Sequence, residues 1–277
     1  MNPLAASAAL SSTVLAAGDD PLSHIMPHEL VKIGDYTLTN HVFMLFVSAI
    51  LLLIVMPIAA RAQGIVPSGF RNLIEAVLQF LREDMARPAL GKATDKLIPF
   101  IWTLFFLILT ANLLGMIPIG SFAAPIDAHL AHIGGTATGN LSITAALAIC
   151  AFLFIHISGM REKGVGKYWH DFFFGHAPMY MAPLMIVLEP ISALVKPFAL
   201  AIRLFANMIA GHVVIAVLLG FAAAGIGMGA LGVGITGASI VGAVFINLLE
   251  VLVAFLQAYI FTFLTTLFVG MAIESSH

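Results

Sequence analysis

Polar interruptions along this chain are so sparse that the gaps between them define its architecture. With only Asp, Glu, Lys and Arg counted as breaks, the long uncharged stretches are Val42 to Ala60, Leu97 to Ile126, Ala128 to Met160, Leu204 to Leu249 and Val251 to Ile273. A membrane-crossing helix needs about 20 mostly apolar residues, so each of the first three stretches holds one crossing. The second helix is expected to begin near Pro99 and to end around Gly115 to Pro118. The third is expected to start after the breaks at Gly134-Gly135 and Gly139-Asn140. The 46-residue run from Leu204 is too long for one crossing, and between Gly220 and Gly242 it carries Gly225, Gly227, Gly229, Gly232, Gly234 and Gly237. Such glycine density marks a turn and predicts a C-terminal hairpin with arms near Met181–Phe221 and Ile235–Ala272. Each arm would run ~60 Å at 1.5 Å per residue, about twice the ~30 Å hydrocarbon layer, which calls for strongly tilted helices.

One segment follows a different rule. Leu73, Ile74, Val77, Leu78, Leu81 and Met85 recur at helical spacing, with Arg71, Glu75, Arg82, Glu83 and Arg87 between them. That pattern is an amphipathic helix lying at a membrane interface. The predicted fold class is therefore an all-α polytopic membrane protein with five membrane crossings, one interfacial amphipathic helix and a C-terminal hairpin of two long, tilted helices. The divisions fall at residues 1–40 (extracytoplasmic), 41–62 (first crossing), 68–92 (interfacial), 96–160 (two crossings) and 178–274 (hairpin).

Composition agrees. Of 277 residues 61% are hydrophobic and 9% charged, and mean hydropathy is +1.05. Soluble domains carry about 25% charged residues, so a cytosolic enzyme, a nucleic-acid binder and a disordered chain are excluded. Cys150 is the only cysteine, so no internal disulfide forms. Leu4 to Ala17 is mildly apolar, but no Lys or Arg precedes it, which speaks against a cleaved signal peptide. Six basic residues (Arg61, Arg71, Arg82, Arg87, Lys92, Lys96) lie between the first two crossings, and Arg161, Lys163 and Lys167 follow the third. The loop from about Ile119 to Asn140 has none. By the positive-inside rule the basic loops are cytoplasmic, the N-terminus is outside and the C-terminus inside.

Charge inside the hairpin needs a separate explanation. Arg or Lys near mid-membrane costs about 2.5–3.5 kcal/mol on insertion scales, which makes such residues functional candidates. Glu189, Lys196 and Arg203 fall on one helix stripe that Asn207 continues, and Asn247, Glu250 and Gln257 form another on the second arm. Lys196 has a second explanation, reaching to the cytoplasmic interface. Folding the hairpin about residues 230–231 puts Arg203 level with Gln257, and His212 level with Glu250. An imidazole and a carboxylate at one membrane depth point to proton handling; the alternative is a neutral hydrogen bond stapling two helices. Neither a phosphate-binding G-x-x-x-x-G-K-[ST] loop nor a dinucleotide G-x-G-x-x-G fingerprint is present, so no nucleotide, cofactor or catalytic chemistry is expected of this chain. The pairs His24/His28, His129/His132 and His170/His176 lack a cysteine or carboxylate framework, so no metal is expected.

Glu189-Pro190-Ile191-Ser192, Lys196-Pro197 and the run Arg203-Leu204-Phe205-Ala206-Asn207-Met208-Ile209-Ala210-Gly211-His212 closely resemble subunit a of F-type ATP synthases. Glu250 and Leu256-Gln257-Ala258-Tyr259-Ile260-Phe261 do so too, as does Asn112-Leu113-Leu114-Gly115-Met116-Ile117-Pro118. The resemblance runs from about His24 onward. It implies a non-catalytic stator subunit of the bacterial inner membrane, partnered by a c-subunit ring, b-type peripheral stalk subunits, the F1 ATPase sector and membrane lipids, with no nucleic acid. Two offset half-channels would carry protons to and from the ring carboxylates. Arg203 matches the arginine that prevents a short circuit, with Asn207 and Gln257 its neighbours. His212 and Glu250 match the outer half-channel pair, in the mitochondrial and alphaproteobacterial arrangement. Glu189 matches the cytoplasmic half-channel acid, with Ser192, Asp171, Asn247 and Lys196 as weaker channel candidates. The competing assignment is a secondary transporter or antiporter in which Arg203 anchors an anionic substrate, although no internal repeat of the kind such folds show is found.

Overall fold

The computed structural model describes residues 29–33, 36–60, 69–117, 135–174, 182–226 and 228–274. Residues 1–28 with His24 and His28, the loop holding His129 and His132, and His176 lie outside the described residues. Two short antiparallel strands, β1 (Glu29–Ile33) and β2 (Tyr36–Thr39), open the chain. The sequence pattern had not suggested them, because five-residue strands carry too little periodicity to register. The described elements after them are all helices. α1 spans Asn40–Ala60. α2 (Phe70–Phe80) runs through a widened π turn at Leu81–Ala86 into α3 (Arg87–Leu90). Pro88 in the first turn of α3 has no N–H and crowds the carbonyl four residues back, which accounts for the widened turn before it.

α4 spans Thr94–Gly115 and α5 spans Leu141–Lys163. Asn140 caps α5 by accepting the Ser142 N–H at 2.8 Å, and Arg161 and Lys163 sit at its C-terminal, negative end of the dipole. α6 (Val165–Phe174) leads to the long arms α7 (Ala182–Gly225) and α8 (Gly229–Ile273). Among the described residues, five helical stretches are long and apolar enough to cross a membrane; one of them extends from Phe70 to Gly115.

The amphipathic segment is docked against the rest of the protein. Ile74, Leu81, Met85 and Leu90 are buried, Trp102 donates its indole N–H to the Leu78 carbonyl at 3.1 Å, and Arg82 pairs with Asp95 at 2.6 Å. Its buried positions merge with a core built around Ile101, Phe105, Ile108, Leu204 and Phe261.

The hairpin departs from expectation at its turn. The arms continue to Gly225 and restart at Gly229, so most of the glycine-rich stretch is helix. A methyl group on Gly225 or Gly232 would strike the opposite arm's backbone, and Thr236 donates its hydroxyl to the Ala222 carbonyl at 2.9 Å. Those glycines serve close helix–helix packing, as small residues do in membranes.

Candidate functional site

The two arms touch at the Gly225–Gly232 crossing, again where Leu218 packs over Gly242, and again at His212 on α7 and Glu250 on α8. There the imidazole Nδ1 lies 2.9 Å from Glu250 Oε1. The same nitrogen hydrogen-bonds the Met208 carbonyl at 2.9 Å, and Glu250 Oε1, though close, has no hydrogen-bond partner among the described residues. Glu250 is 6% exposed. The space for its carboxylate comes from Gly211, where a Cβ would lie 2.6 Å from Oε1; alanine would push the carboxylate out of place.

The pair is enclosed from the other side by elements far away in sequence. Thr136, in the short turn before α5, brings its hydroxyl within 3.1 Å of His212 Nε2. His41, at the start of α1, meets the Thr136 carbonyl through Nδ1 at 2.8 Å. On α4, Asn112 donates to the Ala254 carbonyl at 3.3 Å, one turn along from Glu250, and accepts from the Thr138 hydroxyl at 2.6 Å. A mostly apolar cleft of about 430 Å³ lies between the arms, lined by Ile215, Leu219, Leu248 and Val251 with Asn247 among them.

Arg203 lies in a different setting. It is exposed, and no salt bridge or hydrogen bond reaches it from the described residues. It stands in the middle of a stripe at three- and four-residue spacing, Val195, Ala199, Ala206, Ala210 and Val214, every member of which is exposed. Gln257 is buried on α8 whereas Arg203 is exposed on α7, because height along a hairpin leaves the rotation of each helix undetermined. Asn207 is half-buried.

The remaining candidates spread toward the other end of the arms. Lys196 is half-buried, with its ammonium 4.7 Å above the Phe268 ring, so it is turned toward α8 and held by a cation–π contact. Glu189 is half-buried and Ser192 exposed. Asp171 pairs with Lys163 at 3.8 Å and with His170 at 3.6 Å, which ties it to the α5–α6 corner. Sequence reasoning missed Thr136 and His41. Thr136 stood in what was read only as a glycine break, and a neutral hydroxyl 76 residues from its partner leaves no pattern.

The chain matches the profile of a family described as ATP synthase A chain over residues 42–270. It is 40% identical to ATP synthase subunit a of Chloroherpeton thalassium, the alignment covering 88% of this chain and 69% of that one. Identity to ATP synthase subunit a of Anaeromyxobacter dehalogenans is 40% over 85% of this chain, which spans 58% of that longer relative. With the Myxococcus xanthus protein of the same description it is 37%, covering 88% of this chain and 75% of the relative.

Proposed function

The chain belongs to the ATP synthase A chain family, and from that premise we propose that it is the proton-conducting stator subunit of an F-type ATP synthase, set in the membrane against a rotating ring of small carboxylate-bearing subunits. The single observation that carries this beyond family membership is the exposed, unpartnered Arg203 amid small side chains. A guanidinium cannot lose its proton, its pKa lying above 12. Held at mid-membrane without a partner of its own, it is stable only if something outside the chain supplies a counter-charge. A ring carboxylate passing along the stripe of Ala199, Ala206 and Ala210 does this, since small side chains let a neighbouring helix come close.

The mechanism follows from where the polar groups sit. Protons enter from outside through the cleft beside Asn247, reach Glu250 and His212, and protonate a ring carboxylate. The neutral carboxyl then turns through lipid. On its return past Arg203 from the other side, the cation lowers its proton affinity and the proton leaves toward Glu189 on the cytoplasmic side. Arg203 also repels any proton moving directly between the two openings. Lys196, over Phe268, keeps a fixed positive charge on the cytoplasmic side of the arms. In this arrangement the N-terminus is outside, the C-terminus inside, and the c-ring, the b-type stalk and the F1 sector are the partners. The chain itself performs no bond chemistry. Membership in this family leaves the transporter alternative without support.

Mild-detergent recovery through a C-terminal tag, with partners identified by mass, tests the assignment. A ring-forming proteolipid together with a soluble ATPase is expected. Recovery of this chain alone, from membranes that hold intact complexes, would sink it.

A further inference from the structure

We propose that the Thr136 hydroxyl belongs to the proton path at the His212–Glu250 pair, and that His41 is the residue that positions it. This rests on reading the chain as a proton-conducting stator and names two groups that reading does not contain.

Hydrogen-bond bookkeeping around the imidazole carries the argument. The Met208 carbonyl, 2.9 Å from Nδ1, can only accept, so Nδ1 carries a hydrogen in either charge state. When the ring is neutral, Nε2 is a bare acceptor, and the Thr136 hydroxyl at 3.1 Å donates to it. When the ring takes a second proton, Nε2 becomes a donor. The hydroxyl then turns and accepts. Nε2 therefore finds a partner in both charge states with only an O–H rotation. Serine could do the same; valine, of the same shape, could do neither.

Thr136 is held for this task from three sides. Its carbonyl accepts from Gly139 N–H at 2.8 Å and from His41 Nδ1 at 2.8 Å, and both Thr136 and His41 are 3% exposed. At the end of α4, Gly115 has no side chain because Thr136 fills that space. Since a carbonyl cannot relay a proton onward, His41 acts through the posture of the turn. Among the described residues, the titratable groups gathered here are Glu250 from α8 and, beyond Thr136, His41 from α1. From Leu97 to Gly115 of α4 and from Leu141 to Ile155 of α5 there is no charged residue.

The test uses inverted membrane vesicles holding the whole complex, with ATP-driven pumping measured per assembled complex across a range of lumenal pH. Thr136→Val is expected to lower pumping about tenfold, the equivalent of one hydrogen bond to a titrating group, and to change the pH profile, while Thr136→Ser keeps both. His41→Phe is expected to reproduce part of the loss. His41→Asn, which restores a donor near the Nδ1 position, is expected to rescue it. Wild-type rate and profile in Thr136→Val overturn the proposal, as does equal loss in the serine and valine variants, which marks a packing role. Failure of His41→Asn to rescue overturns the positioning role of His41. Arg203→Ala in the same vesicles reports on the underlying reading: normal pumping there sinks that reading, whereas its loss beside a normal Thr136→Val sinks only this one.

Discussion

His212 and Arg203 occupy the same helix about 13 Å apart along its axis, and they have been treated by the fold in opposite ways. His212 is surrounded: α8 brings Glu250, α7 the Met208 carbonyl, and the turn before α5 the Thr136 hydroxyl. Arg203 receives nothing from the described residues and points outward from the chain. The first is a buried polar pair enclosed by its own chain. An exposed, lone cation in an apolar stripe is half of an interaction. Cations elsewhere in the molecule underline the contrast, for Arg82, Arg87, Lys96 and Lys163 all find carboxylates within 4 Å.

The largest expected effect breaks the open side of that comparison. Arg203→Ala should bring ATP-driven pumping down to background and raise passive proton leak in vesicles, because the barrier between the two openings and the counter-charge for the ring disappear together. A unit-charge contact at ~4 Å is worth about 4 kcal/mol at an intermediate effective dielectric, roughly a thousandfold in rate. The mutant protein should still assemble, since no described side chain leans on the guanidinium. Coupled pumping at normal rate would show that the exposed position carries no charge-dependent role.

Next in size is the closed side. Glu250→Gln keeps an oxygen beside His212 and fits the space beside Gly211, so a polar contact between the arms survives while the titrating group is lost. Pumping per assembled complex should fall about a hundredfold, the lower range of what positioned acid–base groups contribute. If flux is unchanged, the pair is a staple, and proton entry must be sought elsewhere along the cleft.

These two sites were legible in the sequence to different degrees, for physical reasons. Charge is so rare here that Arg203, Glu250 and Lys196 were conspicuous at once, and the length of the arms followed from the uncharged runs. Register was legible because the hairpin is antiparallel: His212 and Glu250 were expected at one level and stand 2.9 Å apart. Rotation about the helix axis was not legible, which is why Gln257 turned out buried and Arg203 exposed. Glycine misled in one place, since Gly225 and Gly232 are contact points between arms and lie inside the helices. The residues that close the site from outside the hairpin, Thr136 and His41, are neutral and distant in sequence. Only the fold brings them in.

A third polar contact, at the opposite end of α5, sharpens the comparison with the smallest effect. Tyr168 on α6 is 4% exposed, and its hydroxyl meets His156 Nδ1 at 2.6 Å. Like the His212 site it is closed within the chain, but it lies off the proposed proton route, so Tyr168→Phe should change pumping less than about twofold while loosening the α5–α6 corner by about 1 kcal/mol. Burial pushes the phenol up to about 12 from an ordinary value near 10. The folded corner therefore favours the protonated form: its stability is in full effect below pH 10 and declines as pH rises from 10 to 12. Trp169, with its ring 5.6 Å from Tyr168, reports this by fluorescence in a Trp102→Phe background. The signal should change over that interval in the otherwise native protein and stay flat with Tyr168→Phe. A change centred near pH 10, the ordinary value of a hydrated phenol, would mean the phenol is wetter than its burial implies, and that closure within the chain does not by itself keep water from a polar site at this end of the molecule.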